Sequence, residues 1–379
     1  MKILFDARPH FYRFSGTGRY SLELAAALDG LFRETGDKLL VVASHANAER
    51  FAERGLESVV ESPVEESGSL DSQEIIKNIA AAECPDVYHT PNAVCPPLDG
   101  IPSVLTLHDC IPLRCSFEST PQERIAFAAE TGAALKACSR AIAVSETVMA
   151  DAREYFSAQA GKISVVRHGV SKAFGPVSAG VRESVSRRLG LPQPFVLYVG
   201  NTLRHKNLVA LFRGYARAES LLHGIGLVLG GFGCEPAQRH LAAIAELGLQ
   251  DSVKWIGHVS ADDVPALFGA ASAFVMPSLY EGFSMPIAEA MLCGTPVACS
   301  DIAAFREICG DDAATYFDPE NPESIAQGLV TATRDDAARA RTSAMGLERA
   351  KAFDWHEVAL KTLNIYKEVL GAANSGTHN

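Results

Sequence analysis

Short apolar runs recur along the chain, each followed by a stretch whose apolar positions return every three or four residues. The first six runs are Lys2–Phe5, Leu39–Val42, Val87–His89, Ser103–Leu107, Ala141–Val144 and Ser164–Val166. A second series holds Phe195–Val199, Gly226–Leu229, Val253–Ile256, Ala273–Met276, Pro296–Ala298 and Thr315–Phe317. Alternation of this kind predicts βα units around parallel sheets. After the first run, Tyr20, Leu24, Ala27, Leu28 and Leu31 share one helical face, so an amphipathic helix packs there.

Between the two series, Phe174–Pro194 is rich in Gly, Pro and Ser around a short basic helix and reads as a linker. A chain of 379 residues exceeds what one core usually organises. The expected class is α/β, with two facing Rossmann-like, doubly wound domains at residues 1–175 and 176–354. Ligands in such sheets bind beyond the carboxyl ends of the strands, so an interdomain cleft is the expected site. Trp355, Val358, Ala359, Leu363 and Tyr366 lie on one face of a final packing helix, followed by a flexible tail at 372–379.

Composition narrows the classes. With 47% hydrophobic and 21% charged residues, the chain reads as globular throughout. Its net charge of -11 is spread over both halves, which offers no basic footprint for nucleic acid. Nine cysteines occur without a C-x-x-C pair, and neither Cys110/Cys115 nor Cys293/Cys299 has zinc-ribbon spacing, so reduced core thiols in a cytoplasmic protein are expected. MKILFDARPH lacks the order of a signal peptide, and no run is long enough to cross a bilayer. Membrane association, if any, is expected to be peripheral to the inner face.

The most informative stretch is YEGFSMPIAEAMLCGTPVACSD, residues 280–301, where Glu281 and Glu289 flank Gly282 and Pro286. Pro286 suits a first helical turn. The N–H groups of Phe283, Ser284 and Met285 at that helix start would favour a phosphate, while the carboxylates would accept hydrogen bonds from sugar hydroxyls. Acidic residues near a helix start are equally compatible with simple capping. In YVGNTLRHKNL, residues 198–208, Asn201, Arg204 and Lys206 follow a strand end, where cations could neutralise a leaving diphosphate or merely be solvated.

Three further stretches carry candidates. FSGTGRY places Gly16 and Gly18 between the first strand and first helix, where an NAD-binding turn would also lie. A full G-x-G-x-x-G would need glycine at position 21, and Ser21 stands there. TLHDCIPL places His108 and Asp109 at a strand's carboxyl end, and His89 lies in YHTPN; either histidine could be purely structural. His258 and Val259 follow the strand around Trp255 and are candidates for base contact.

These motifs together resemble the fourth family of retaining glycosyltransferases, whose fold is GT-B. EGF-S-M-P-x-x-EAM-x-CGTPV is similar to its signature, YVG-x-x-x-x-x-KN to its phosphate loop, G-x-G-R-Y to its glycine loop, and HD-x-IP to its mannosyltransferase-like branch. The resemblance implies that Glu289 holds the ribose, Glu281 the transferred sugar and Lys206 the donor phosphates. It also implies that Gly16 and Gly18 lie near phosphate and acceptor, and that His108 reaches the sugar near the reacting carbon. Many members carry an arginine where Asn201 stands, and Arg204 is the replacement expected here. The last helix is expected to cross back onto the amino-terminal domain.

The implied reaction is transfer of a hexose, best matched by mannose from GDP-mannose, onto a hydroxyl of a glycan or lipid-linked oligosaccharide. UDP-sugars are the alternative donors, and a sugar-nucleotide epimerase or a non-catalytic sugar-nucleotide scaffold are the competing classes. No cofactor beyond the nucleotide-sugar co-substrate is expected. No metal is expected either, since no D-x-D triplet is present. The acidic, Ser-rich stretch Glu57–Glu74 is expected to be an acceptor loop.

Overall fold

The computed structural model describes residues 1–8, 16–62, 70–93, 95–231 and 233–376. Two compact units divide the chain: unit 1 is Met1–Gly169 together with Asp354 onward, and unit 2 is Val170–Phe353.

Unit 1 carries β1 (Lys2–Asp6), β2 (Lys38–Ser44), β3 (Val59–Ser62), β4 (Val87–Thr90), β5 (Ser103–Leu107), β6 (Arg140–Ala143) and β7 (Ile163–Val165). They form one sheet in the order β3-β2-β1-β4-β5-β6-β7. Unit 2 carries β8 (Phe195–Val199), β9 (Gly226–Gly230), β10 (Val253–Gly257), β11 (Ala273–Met276), β12 (Val297–Ser300) and β13 (Thr315–Phe317). Their order is β10-β9-β8-β11-β12-β13. Every pairing is parallel. Central strands such as β9 and β11 are buried along their whole length. Coverage of both faces is why they read as unbroken apolar runs rather than alternating ones.

Both sheets reverse direction of winding beside their first strand, between β1 and β4 and between β8 and β11. Loops leaving two neighbouring strands at such a reversal diverge to opposite faces and leave a hollow at the carboxyl edge. The candidate side chains His108, after β5, and Lys206, after β8, stand at that edge.

Three expectations are corrected. The stretch Phe174–Pro194 is not a linker but part of unit 2, which begins at Val170 rather than after residue 175. There the helix Ala179–Arg188 packs on Val264–Ala270, Arg188 grips Asp263 through two contacts of 2.5 Å, and the Phe174 ring lies 6.1 Å from that of Phe268. The short basic helix expected in this stretch is present, but its polar composition hid the tertiary partners that make it part of the unit. Second, Glu57–Glu74 contains β3 and the start of the helix Leu70–Glu83, while residues 63–69 lie outside the described ones. As an edge strand with β2 as its neighbour, β3 needs no apolar run. Third, Gly16 and Gly18 belong to the first turn of the helix Gly16–Thr35 instead of a preceding loop.

The helix Trp355–Gly376 packs on Gly16–Thr35 within unit 1. It buries Trp355, Val358, Ala359, Leu363 and Tyr366. The glycine Gly169 makes room for it: a Cβ there would come within 2.7 Å of the Trp355 ring. In unit 2, Gly214 on the helix Leu208–Leu222 plays the same part, since a Cβ would lie 2.5 Å from Ile325 and 3.1 Å from the Pro322 carbonyl. Overpacking of that kind costs about 2 kcal/mol. Gly214→Ala is therefore expected to lower the denaturant midpoint by a corresponding amount at unchanged slope; a midpoint equal to the parent's would contradict this packing.

Candidate active site

In unit 2 the loops after β8 and β11 flank the reversal point. The backbone N–H of Leu279 donates to the His205 carbonyl at 2.8 Å and ties them together. The β8 loop turns through Arg204–Lys206 and ends at Asn207, which adopts a left-handed φ of 59° and donates from its side chain to the Pro319 carbonyl. Asparagine tolerates that conformation better than most residues. The turn directs Lys206 inward, where its Nζ lies 2.6 Å from Glu281 Oε1 on the other loop. Ser278 Oγ donates to the same oxygen at 2.7 Å.

Lys206 and Glu281 are 13% and 8% exposed. At this burial either charge alone would be costly, and the pairing offsets that cost. Three residues beyond Glu281, Ser284 caps the helix Met285–Leu292 without using its side chain, and its buried Oγ has no hydrogen-bond partner among the described residues. Pro286 stands in the first turn, where its missing N–H costs nothing. Glu289, 1% exposed, is one turn further in. The two linked loops thus carry a cation paired with a buried carboxylate, and the helix that follows adds a buried hydroxyl, unpaired among the described residues, at its start and a second buried carboxylate one turn on.

Neighbouring strand ends extend this edge. Gly200 N–H donates to the Gly230 carbonyl, and Gly231 N–H to the Gly257 carbonyl, joining the exits of β8, β9 and β10. Gly231 has φ 120°, and a Cβ there would stand 2.9 Å from the Gly200 nitrogen. This glycine turn went unremarked in the sequence, although glycine at 230, 231 and 233 after an apolar run signals close backbone approach. Ser278 was also missed, as nothing in its spacing marks it.

The remaining candidates are placed as follows. Asn201 accepts from Leu203 N–H through its side chain and from the Tyr198 hydroxyl through its carbonyl, shaping the loop. Arg204 lies exposed on the turn that carries Lys206. Gly282 is buried in the β11 loop, and the Phe283 ring packs 5.7 Å from that of Phe353. His258 is exposed and Val259 buried just after β10, the latter beside Gly230. A cavity of about 360 Å³, lined by Arg182, Cys293, Arg339 and Ser343 among others, opens where Ser272 and Pro296 enter β11 and β12. That is the amino-terminal edge of the sheet, away from Lys206.

In unit 1, His108 follows β5 and is half-buried. Its ring lies 4.7 Å from Tyr20 and 5.5 Å from His168. His89 on β4 is wholly buried, bonded through Nδ1 to the Tyr366 hydroxyl at 2.6 Å and through Nε2 to Thr106 Oγ1 at 2.9 Å. Burial pushes the His89 imidazole down to about 3. Burial and then the charge of Arg19 do the same for His168. Gly18 is buried one residue from Arg19, and Gly16 is exposed at the helix start.

Comparison with known proteins fits this geometry. The family described as Glycosyltransferase Family 4 matches residues 14–174, and that described as Glycosyl transferases group 1 matches residues 182–349. O-antigen chain mannosyltransferase B of Escherichia coli is 30% identical over 387 residues, spanning 97% of this chain and 100% of that protein. Sucrose-phosphate synthase from Thermosynechococcus elongatus superposes with a TM-score of 0.79 at 21% identity, covering 98% of this chain and 100% of that one. Anabaena HepE in complex with UDP-glucose gives 0.77 at 19% identity, with 98% and 100% covered. Fold and site together define a glycosyltransferase of the GT-B class. The chain belongs to the family 4 type of these enzymes.

Two predictions follow from the site's electrostatics. Lys206→Ala strands a buried carboxylate, a change that costs about 3 to 5 kcal/mol. Glu281→Gln keeps an acceptor for Ser278 and is expected to cost less; chemical denaturation giving the reverse order would refute the pairing. The two buried imidazoles titrate near 3 in the fold but near the ordinary 6.5 when unfolded. The unfolded state therefore binds more protons between those values, and stability is lost as pH falls from about 6.5 towards 3. Melting temperatures measured between pH 6.5 and 5 should fall, and His168→Phe should flatten the slope; identical slopes would argue against a buried neutral His168.

Proposed function

We propose that the protein transfers a hexose from a nucleoside diphosphate donor to a hydroxyl of a glycan or lipid-linked acceptor, with retention of anomeric configuration and without a metal ion. The observation that carries this reading is the buried Lys206–Glu281 pair at the winding reversal of unit 2, followed three residues on by the Ser284 hydroxyl, unpaired among the described residues, at a helix start. Mannose from GDP-mannose is the donor best supported. The support is the 30% identity to an O-antigen chain mannosyltransferase and the HD-x-IP stretch around His108.

The chemistry follows from charge. The bond between the anomeric carbon and the diphosphate oxygen breaks with its electron pair leaving on that oxygen, so stabilising the developing anion lowers the barrier. Lys206 and the helix start at Ser284 supply that stabilisation, and Arg204 adds a second cation. The acceptor oxygen attacks the oxocarbenium-like carbon from the face the diphosphate leaves, and its proton passes to the departing phosphate oxygen. Glu289 holds the ribose and Glu281 the hexose hydroxyls, and the resemblance of the HD-x-IP stretch gives His108 a part in holding the hexose. No helix among the described residues is long and apolar enough to cross a membrane. A lipid-linked acceptor would be reached by peripheral contact.

The test is a transfer assay in excess EDTA with GDP-mannose, UDP-hexoses, ADP-hexoses and TDP-hexoses, the product anomer being read by NMR. GDP-mannose turnover with retention is expected, with Lys206→Ala lowering kcat about 100-fold or more. Preference for a UDP-hexose would replace the donor, activity only with added Mn²⁺ would overturn metal independence, and an inverted product would overturn the same-face route. Conversion of the nucleotide sugar without acceptor would favour an epimerase.

A further inference from the structure

We infer that Tyr20 and His168 are positioning residues that hold the His108 imidazole, and that the last helix completes their arrangement. The inference rests on His108 serving the transferred hexose and deepens that reading. It concerns unit 1 alone.

An imidazole at a strand exit is free to rotate about two side-chain bonds unless neighbours restrain it. His108 is restrained by rings. Tyr20 stands nearly perpendicular to it at 85° and His168 is tilted at 49°. Tyr20 and His168 are themselves 5.0 Å apart, so the three rings close a triangle. Trp355, the first residue of the last helix, sits 5.6 Å from Tyr20 and 6.1 Å from His168.

Tyr20 is in turn fixed from below. Its hydroxyl pairs with Thr106 Oγ1 at 3.1 Å, Thr106 with His89, and His89 with the Tyr366 hydroxyl. This chain of buried polar groups runs from the first helix through β5 and β4 to the last helix. His168 follows β7 and precedes Gly169, whose bare Cα admits Trp355. Aliphatic side chains would fill such a core with less desolvation, because each buried polar group must find a partner. A fully connected network imposes one geometry instead. Tyr20 and His168 are 0% and 4% exposed, so neither needs to touch a ligand to act.

A double-mutant cycle with the full-length protein separates positioning from mere packing. In the parent, His168→Ala is expected to lower kcat about tenfold with donor KM within about threefold, and His168→Phe to restore kcat to within about twofold. In a His108→Ala background, His168→Ala should lower the residual kcat by less than about twofold, since no imidazole remains to be held. Equal fold losses in both backgrounds, or no loss in the parent, would overturn the inference. If His108→Ala itself leaves kcat unchanged, the reading of His108 fails and the inference with it. Should His168→Ala not fold, Tyr20→Phe makes the same decision, because it keeps the ring and removes the Thr106 contact. It should slow the parent about threefold and leave the His108→Ala enzyme unaffected; any other pattern counts against positioning.

Discussion

A lysine and a glutamate pulled out of water and pressed together where two loops meet are the constraint on which the putting together of this site depends. Each ion alone would be costly to bury, so the fold keeps both only while the β8 and β11 loops remain in register. The register is secured by backbone and side-chain contacts on either side: Leu279 to His205, Asn207 to Pro319, and Ser278 to Glu281. A ligand phosphate can then compete for a cation that is already desolvated and aimed. Little reorganisation remains when negative charge develops, which is the condition under which electrostatic stabilisation is most effective.

The same design appears in unit 1 with different chemistry. Its sheet also reverses beside the first strand, and its functional candidates also emerge from strand exits. There the holding force is aromatic and hydrogen-bonded rather than ionic, built from Tyr20, His89, Thr106, His168 and Tyr366. The last helix supplies Trp355 and Tyr366 and so belongs to the architecture of this unit, although it follows unit 2 in the sequence. Family membership accounts for the shared scaffold. The side chains at the strand ends determine what each unit can bind.

Elements buried on both faces were legible in the sequence because burial leaves an unbroken apolar run, as in Phe195–Val199 and Ala273–Met276. Elements defined by partners were legible only in part. The edge strand Val59–Ser62 carries polar residues that make sense only beside β2, and the short basic helix Ala179–Arg188 was legible as a helix but not as one packed on Val264–Ala270. In the site, Glu281, Lys206 and Ser284 could be named because a glycine, a proline and a strand end bracket them. Ser278 lies only three residues before Glu281 but no motif marks it, and the ring neighbours of His168 are distant in sequence, so no spacing announces it. Gly16 and Gly18 were expected ahead of the first helix and lie in its first turn, since two glycines close together argue locally against the helix that the whole unit imposes.

The account stands on Lys206 being a phosphate ligand held ready by Glu281. The most direct measurement is calorimetric titration of the full-length protein and of Lys206→Met with a nucleoside and with its diphosphate. The parent should bind the diphosphate at least about 100-fold more tightly than the nucleoside, and the variant should lose most of that difference while binding the nucleoside as before. An undiminished diphosphate preference in Lys206→Met would contradict the account.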